Sequence, residues 1–420
     1  MKTRFFLILI FLTGFFSFSS GQDFWEEVVL PDLVVPNKID FDLEGNIYLL
    51  TLNGVYRSND NGQTWENLSL SFIESYNVGI EATENNSIYV GSVPYGKFYY
   101  SSDGGESWDS TQTNIEGTIL LKSLRNTSDL YIGNFGGIYK SVNNGNNWTK
   151  VLNATIVEAF YDIIETDGGL IAGSVHWMSS DSGGVYQSLN GGNTWNLLSL
   201  TGHGIYSFDI DTSNNIIVGV FVAPFQSEPG IYKSTDSGHS WVNIYNEAYI
   251  GPVLCDPFGG IYGGLTATAG NSGWGIRYSH NNGLTWDTIN SGMEYCEGIL
   301  ELKMSPDSYI YAITQSTEKL YRSYNPIVEI NGHSKSKPKC FKVFPNPSSN
   351  KIFINSPLFL TYSPEIVIYS MINNIFHYYE ENINYNSKTI EIDISKLPSG
   401  THIMLIKLNN ETFHIKFFKI

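Results

Sequence analysis

The chain has 420 residues, 42% of them hydrophobic and 15% charged, with a formal net charge of −17 at pH 7. Residues 23–330 hold 12 Lys and Arg against 35 Asp and Glu, a balance of −23. So acidic a body repels phosphate backbones and excludes nucleic acid as a partner, and an odd cysteine count of 3 excludes a fully paired disulfide framework.

In chain order, Lys2 and Arg4 precede an apolar run from Phe5 to Phe16, and Ser19, Ser20 and Gly21 follow. Residues 1–21 read as a secretory signal peptide cleaved near Gly21, because the run falls short of the roughly 20 apolar residues a spanning helix needs. Next comes FWEEVVLP at 24–31, a strand pattern with no hairpin partner beside it.

From there to residue 330 one skeleton recurs: SNDNGQTW at 58–65, SSDGGESW at 101–108, SVNNGNNW at 141–148, SLNGGNTW at 188–195, STDSGHSW at 234–241 and SHNNGLTW at 279–286. A degenerate seventh copy, YRSYNP, places Ser323 in register, so the intervals are 43, 40, 47, 46, 45 and 44 residues. Such a period signals a propeller or solenoid. Short alternating apolar segments rich in Tyr, Ser, Asn and Gly choose β structure. Each unit offers four strands; in the first they are NKIDFDL, NIYLLT, GVYRS and WENLSL. Seven such units predict a seven-bladed β-propeller over 23–330. The seventh unit stops after its third strand. Residues 24–30 match the missing fourth strand and are expected to close the ring, which removes the open sheet edges.

The skeleton S-x-D-x-G-x-[TS]-W resembles the Asp-box (BNR) repeat of sialidases, some glycanases, sortilin-type receptors and photosystem assembly factors. The expected role of Asp60, Asp103 and Asp236, with Trp65, Trp108, Trp148, Trp195, Trp241 and Trp286, is structural. The Asp bonds backbone N–H groups of the turn, the Gly takes a positive φ, and the Trp buries a large face. Asn at 143, 190 and 281 keeps the bonding and loses the charge. This argues against a metal or catalytic function for the position.

Residues 331–340, NGHSKSKPKC, are basic, polar and interrupted by Pro338, and read as a linker. Residues 341–420 carry about seven short strand patterns, which predict a small β-sandwich of immunoglobulin-like type. FPNPSSN at 344–350, DISKLPSG at 393–400 and FHIKFFKI at 413–420 resemble the type A C-terminal sorting domain of the type IX (Por) secretion system. That resemblance implies the secretion machinery as a partner and an extracellular or outer-membrane surface destination. It also implies cleavage of the tail, expected near Lys335–Cys340.

An enzyme on this fold needs more than the repeats. A sialidase grips its substrate carboxylate with three arginines. Here Arg57, Arg277 and Arg322 fall at or near the slot before the repeat Ser, and Arg125 lies beside a first hairpin turn. A glycosidase needs two facing carboxyls. Glu116, Glu158, Glu294 and Glu297 stand on connections into first strands, where solvated carboxylates are the commoner explanation. DIDTSNN at 209–215 reads as a hairpin turn rather than a Ca²⁺ loop, since it lacks the Gly and the bidentate Glu. No metal or cofactor is expected.

One asymmetry remains. From the second residue of each second strand to the position two before the repeat Ser, the spacing runs 8, 10, 8, 15, 15, 15 and 10. The long connections of the fourth to sixth units carry His176, Trp177, Met178, Phe221, Phe225, Glu228 and Trp274. All three leave the ring on the face opposite the Asp boxes. The expectation is a monomeric, non-catalytic binding protein for glycan or protein, with His176, Trp177, Phe225, Trp274, Glu116, Glu294 and Glu297 as ligand-binding candidates. A carbohydrate hydrolase on the same propeller is the alternative. Cys255 and Cys296 sit eight positions apart in strand height, too far for a disulfide.

Overall fold

A computed structural model describes residues 23–327 apart from 32–33, 71–78, 84–85, 92–95, 116–118, 125–128, 179–181, 222–227, 247–248, 267–274, 295–297 and 316. Beyond them it describes 342–344, 350–355, 365–370, 376–377, 389–397, 399–408 and 411–419. The expected signal peptide and linker, with Cys296, Cys340 and Arg125, lie outside the described residues.

The propeller forms as seven four-stranded antiparallel sheets. Blade 1 is Pro36–Phe41, Ile47–Thr51, Gly54–Ser58 and Glu66–Asn67. Blade 4 is Glu158–Thr166, Gly169–His176, Gly184–Ser188 and Asn196–Ser199. The first strands lie against one another right round the ring, the seventh against the first, and so enclose a central channel. Second strands such as IYLLT are buried along their whole length, because neighbouring blades cover both faces. Fourth strands such as DSTQ lie outermost and are mostly exposed.

The core is divided among the blade interfaces. Among the described residues the propeller has seven apolar clusters, one between each pair of neighbouring blades. The repeat tryptophans belong to these interfaces. Trp108 of blade 2 packs with Leu68 of blade 1 and donates its indole N–H to the Leu68 carbonyl at 3.1 Å. Trp286 of blade 6 does the same to Ile244 of blade 5 at 2.8 Å. The large face each Trp buries is thus set against the preceding blade, whose fourth strand lies beside the hairpin.

Closure occurs as expected, through a shorter strand. Trp25–Glu27 pairs antiparallel with Leu320–Ser323, Trp25 opposite Ser323. Trp25 completes the tryptophan series: it is 1% exposed and donates from Nε1 to Ile289 O of blade 6 at 2.6 Å. Glu26 pairs with Arg322 and Glu27 with Lys319, fastening the strand on its solvent side.

Within each Asp box the serine hydroxyl is the hub. Ser58 Oγ donates to Asp60 Oδ1 and accepts from Gly62 N, each at 2.8 Å. Asp60 accepts from the Thr64 N–H and hydroxyl. Where Asn replaces Asp, its Oδ1 still accepts from the backbone, and at Asn190 and Asn281 the amide donates to Thr194 and Thr285. The Gly is required twice over. At Gly192 φ is +74°, and a Cβ would sit 2.5 Å from the Tyr131 ring of the preceding blade.

The tail holds a three-stranded sheet (Lys342–Phe344, Lys351–Asn355, Thr389–Asp393) and a four-stranded sheet (Glu365–Ser370, Phe376–His377, Gly400–Leu408, Glu411–Lys419). Ile352, Ile354 and Ile390 from one and Ile366, Ile368, Met404 and Ile406 from the other share one buried cluster, as the sandwich pattern requires.

Candidate functional site at the open face

The Asp-box face is occupied by structure. Arg57 bridges Glu66 and Glu106 and donates to the Gly104 carbonyl of the next blade. Arg322 pairs with Glu26 and reaches Asn61 O, and Arg277 bonds the Tyr245 hydroxyl. These three are thus engaged along the third strands and between blades. Asp211, within DIDTSNN, caps its own turn through the Ser213 and Asn215 N–H groups and holds Lys233 at 2.7 Å. It is a hairpin turn, as its sequence indicates.

The opposite face is shaped by blades 3 to 5. The second strand of blade 4 runs on to His176, eight residues from Gly169, so less of the connection is loop than the alignment implies. His176 is therefore buried, its ring against Thr155 Oγ1 at 3.2 Å and the Met178 N–H at 3.4 Å. It supports the site from beneath rather than presenting itself. Trp177 follows, half-buried, its backbone N–H donating to Val157 O at 3.0 Å. The turn Thr155–Glu158 is tied to the blade 3 hairpin by Gly136 N to Glu158 O. Three large apolar side chains stand out together: Ile156 is 84% exposed, Met178 68% and Phe135 44%. All three lie on segments that backbone bonds join to Trp177: Val157 O takes its N–H, and Gly136 bonds Glu158 and Ala154.

From Trp177 an aromatic chain leads to the channel. Its ring lies 5.8 Å from Phe221, Phe221 lies 6.3 Å from Tyr206, and Tyr206 stacks on Tyr161 at 5.4 Å. Tyr161 and Tyr206 are the extra residues of β-bulges in the first strands of blades 4 and 5. A bulge residue has no ladder partner and is re-aimed, here toward the channel. Tyr206 reaches past blade 6 to donate to Leu300 O of blade 7 at 3.2 Å. Burial pushes the Tyr161 hydroxyl up to about 12. The Trp177 indole N–H is buried beside that hydroxyl and holds it lower than burial alone would.

Below lies a ring of charge. Asp40 accepts from Ala82 N of the next blade, Asp162 from Phe208 N, Asp209 from Cys255 N and Glu301 from Ile39 N, at 2.7 to 3.0 Å. Inner-strand carboxylates thus stitch four of the blades to their successors. Lys303 pairs with Asp40 at 2.6 Å. Burial lowers the Lys303 ammonium, but Asp40, Glu81 and Glu301 outweigh it and hold it raised. Burial also raises the carboxyls of Glu81 and Asp162, and pushes Asp209 up to about 6. Cys255 is a free thiol at the end of its strand.

Of the expected ligand-binding residues, the structure brings His176 and Trp177 together and sets Glu294 apart, exposed and paired with Lys319 at 2.9 Å. Phe225, Trp274, Glu116 and Glu297 lie outside the described residues. Glu158, expected on a solvated connection, is instead buried as the first residue of its strand, taking the Ser174 and Tyr186 hydroxyls at 2.8 Å each. Phe135, Ile156, Tyr161 and Tyr206 escaped sequence reasoning. The first strands of blades 1, 6 and 7 are bulged as well, so the extra residue alone does not single out the two tyrosines.

Residues 19–198 match the family model of photosynthesis system II assembly factor YCF48, and residues 342–419 match that of the secretion system C-terminal sorting domain. No curated protein matches. Among solved structures, YCF48 bound to a D1 peptide is 18% identical, with 72% of this chain and 96% of that one covered at a TM-score of 0.54. YCF48 from Cyanidioschyzon merolae is 15% identical over 72% and 98%, at 0.53. The extracellular domain of a one-component system from B. thetaiotaomicron is 12% identical over 92% and 57%, at 0.51. At such identities the likeness is one of fold. Repeat register, ring closure and both family models agree: the chain is a BNR-repeat seven-bladed β-propeller followed by a secretion-system C-terminal sorting domain.

Proposed function

We propose that this protein is exported through the type IX pathway and serves at the cell surface or outside it as a non-catalytic receptor for a segment of another protein. The segment seats on the open-face mouth around Trp177. The observation that carries this reading is the exposure of Ile156, Met178 and Phe135 on linked segments beside the half-buried Trp177. Exposed apolar residues clustered beside an aromatic anchor are what a binding surface uses, whereas scattered ones need no explanation. That a fold relative is bound to a D1 peptide makes peptide binding a precedent for the architecture.

The hydrolase alternative draws less support. Glu158 is bonded within blade 4 and Glu294 is paired beside blade 7, so these two do not face each other across a cleft. The test is direct binding to the full chain of a panel of peptides and oligosaccharides, by calorimetry, with Ile156→Ser and Met178→Ser as surface variants. Peptide binding lost in those variants supports the reading. Oligosaccharide binding at the same mouth, with no peptide bound, overturns it in favour of a glycan receptor.

A further inference from the structure

The chemistry of the partner follows from how the propeller disposes of its own charge. Only 12 basic residues stand against 35 acidic ones in 23–330. Six of the twelve, Arg57, Lys140, Lys233, Lys303, Lys319 and Arg322, form ion pairs within the propeller. Lys38 and Lys122 act on Asp162 in the channel wall. Few cations are left to neutralise the outer surface.

The open face shows the imbalance most clearly. Glu228, Glu294 and Glu318 are exposed there. Among the described residues of its connections the one Lys or Arg is Lys319, already bridging Glu27 and Glu294. Two further cations lie near this face: Lys150 sits beside Gly136 with its ammonium over the Tyr139 ring, and Lys97, exposed at the start of its strand, lies over the Tyr99 ring. An apolar mouth thus shares this face with a rim whose exposed carboxylates are Glu228, Glu294 and Glu318.

We infer that the segment recognised is cationic: a stretch of polypeptide rich in Lys or Arg around one large apolar side chain. The apolar side chain packs on Ile156, Met178 and Trp177, and the flanking charges face the rim. Apolar anchoring supplies the affinity, and the rim supplies selection and a fast, salt-sensitive encounter. This rests on the reading of the mouth as a protein-binding surface and narrows it.

Fluorescence anisotropy on the full chain tests it with three synthetic peptides. Each has a central tryptophan, flanked by lysines, serines or glutamates. The lysine peptide should bind about tenfold more tightly than the serine peptide, with the gap closing as salt rises. Ile156→Ser with Met178→Ser should weaken it about tenfold. Glu228→Lys with Glu318→Lys should weaken the lysine peptide about threefold or more and leave the serine peptide unchanged. All four substituted side chains are exposed, and unchanged melting temperatures verify that folding is intact. Equal or tighter binding of the serine or glutamate peptide overturns the cationic assignment while the protein-receptor reading stands. Lysine-peptide binding indifferent to Ile156→Ser and Met178→Ser also overturns it, as general attraction to an acidic surface. Failure of all three peptides to bind overturns both.

Discussion

Trp25→Ala opens the ring at its seam. Trp25 is 1% exposed and sits in the cluster joining blades 6 and 7, with Leu254, Tyr262, Ile276 and Met293. Truncating a buried aromatic of this kind costs about 3–5 kcal/mol through lost contacts and the cavity left behind. It also leaves the Ile289 carbonyl without its 2.6 Å donor, about 1 kcal/mol more. The strand it anchors is only Trp25–Glu27, so little else on that strand can compensate. Equilibrium unfolding in guanidinium chloride should show a loss of about 4 kcal/mol. Trp108→Ala, at a half-buried member of the same series, should lose less. A loss under about 1 kcal/mol for Trp25→Ala, or one no larger than for Trp108→Ala, would refute the argument that the N-terminal strand holds the ring closed.

Asp209 has its pKa raised by burial from an ordinary 3.8 to about 6, so the folded state binds a proton there more tightly than the unfolded chain. Its contribution is fully present below the ordinary value and is lost as pH rises through about 6. Stability curves should therefore show the native protein losing about 3 kcal/mol relative to Asp209→Asn between about pH 4 and about pH 7, and parallel curves would contradict this. Ser188→Ala removes the hydroxyl that accepts from Gly192 N at 2.9 Å and should cost about 1–3 kcal/mol by leaving a buried N–H unpaired, read by chemical denaturation. Deleting residues 342–420 should abolish export while the propeller still folds when expressed without it, read by fractionation and melting temperature.

The propeller was legible because its determinants are local and repeated. The Ser–Asp–Gly–Trp turn fixes each third-to-fourth-strand hairpin, and the spare FWEEVVLP against the truncated seventh unit foretold closure. The site was half legible. Trp177 and Met178 followed from the long spacing in the fourth unit. The depth of His176 did not, because an alignment cannot tell where a strand stops and a connection begins. Tyr161 and Tyr206 enter the channel only because a bulge shifts the parity of their strands, and Ile156 is exposed because a four-residue turn tips it outward. The stitching by Asp40, Asp162, Asp209 and Glu301 depends on blade-to-blade distance, which sequence periodicity does not encode.

The central claim is that recognition occurs on the face away from the Asp boxes, at the mouth bounded by blades 3 to 5. Backbone hydrogen exchange of the full chain, with and without the lysine-flanked tryptophan peptide, tests it most directly. Slowed exchange in 154–158 and 176–178, with 58–65 and 234–241 unchanged, is the predicted result. Protection confined to the Asp-box hairpins, with the mouth unaffected, would contradict the account.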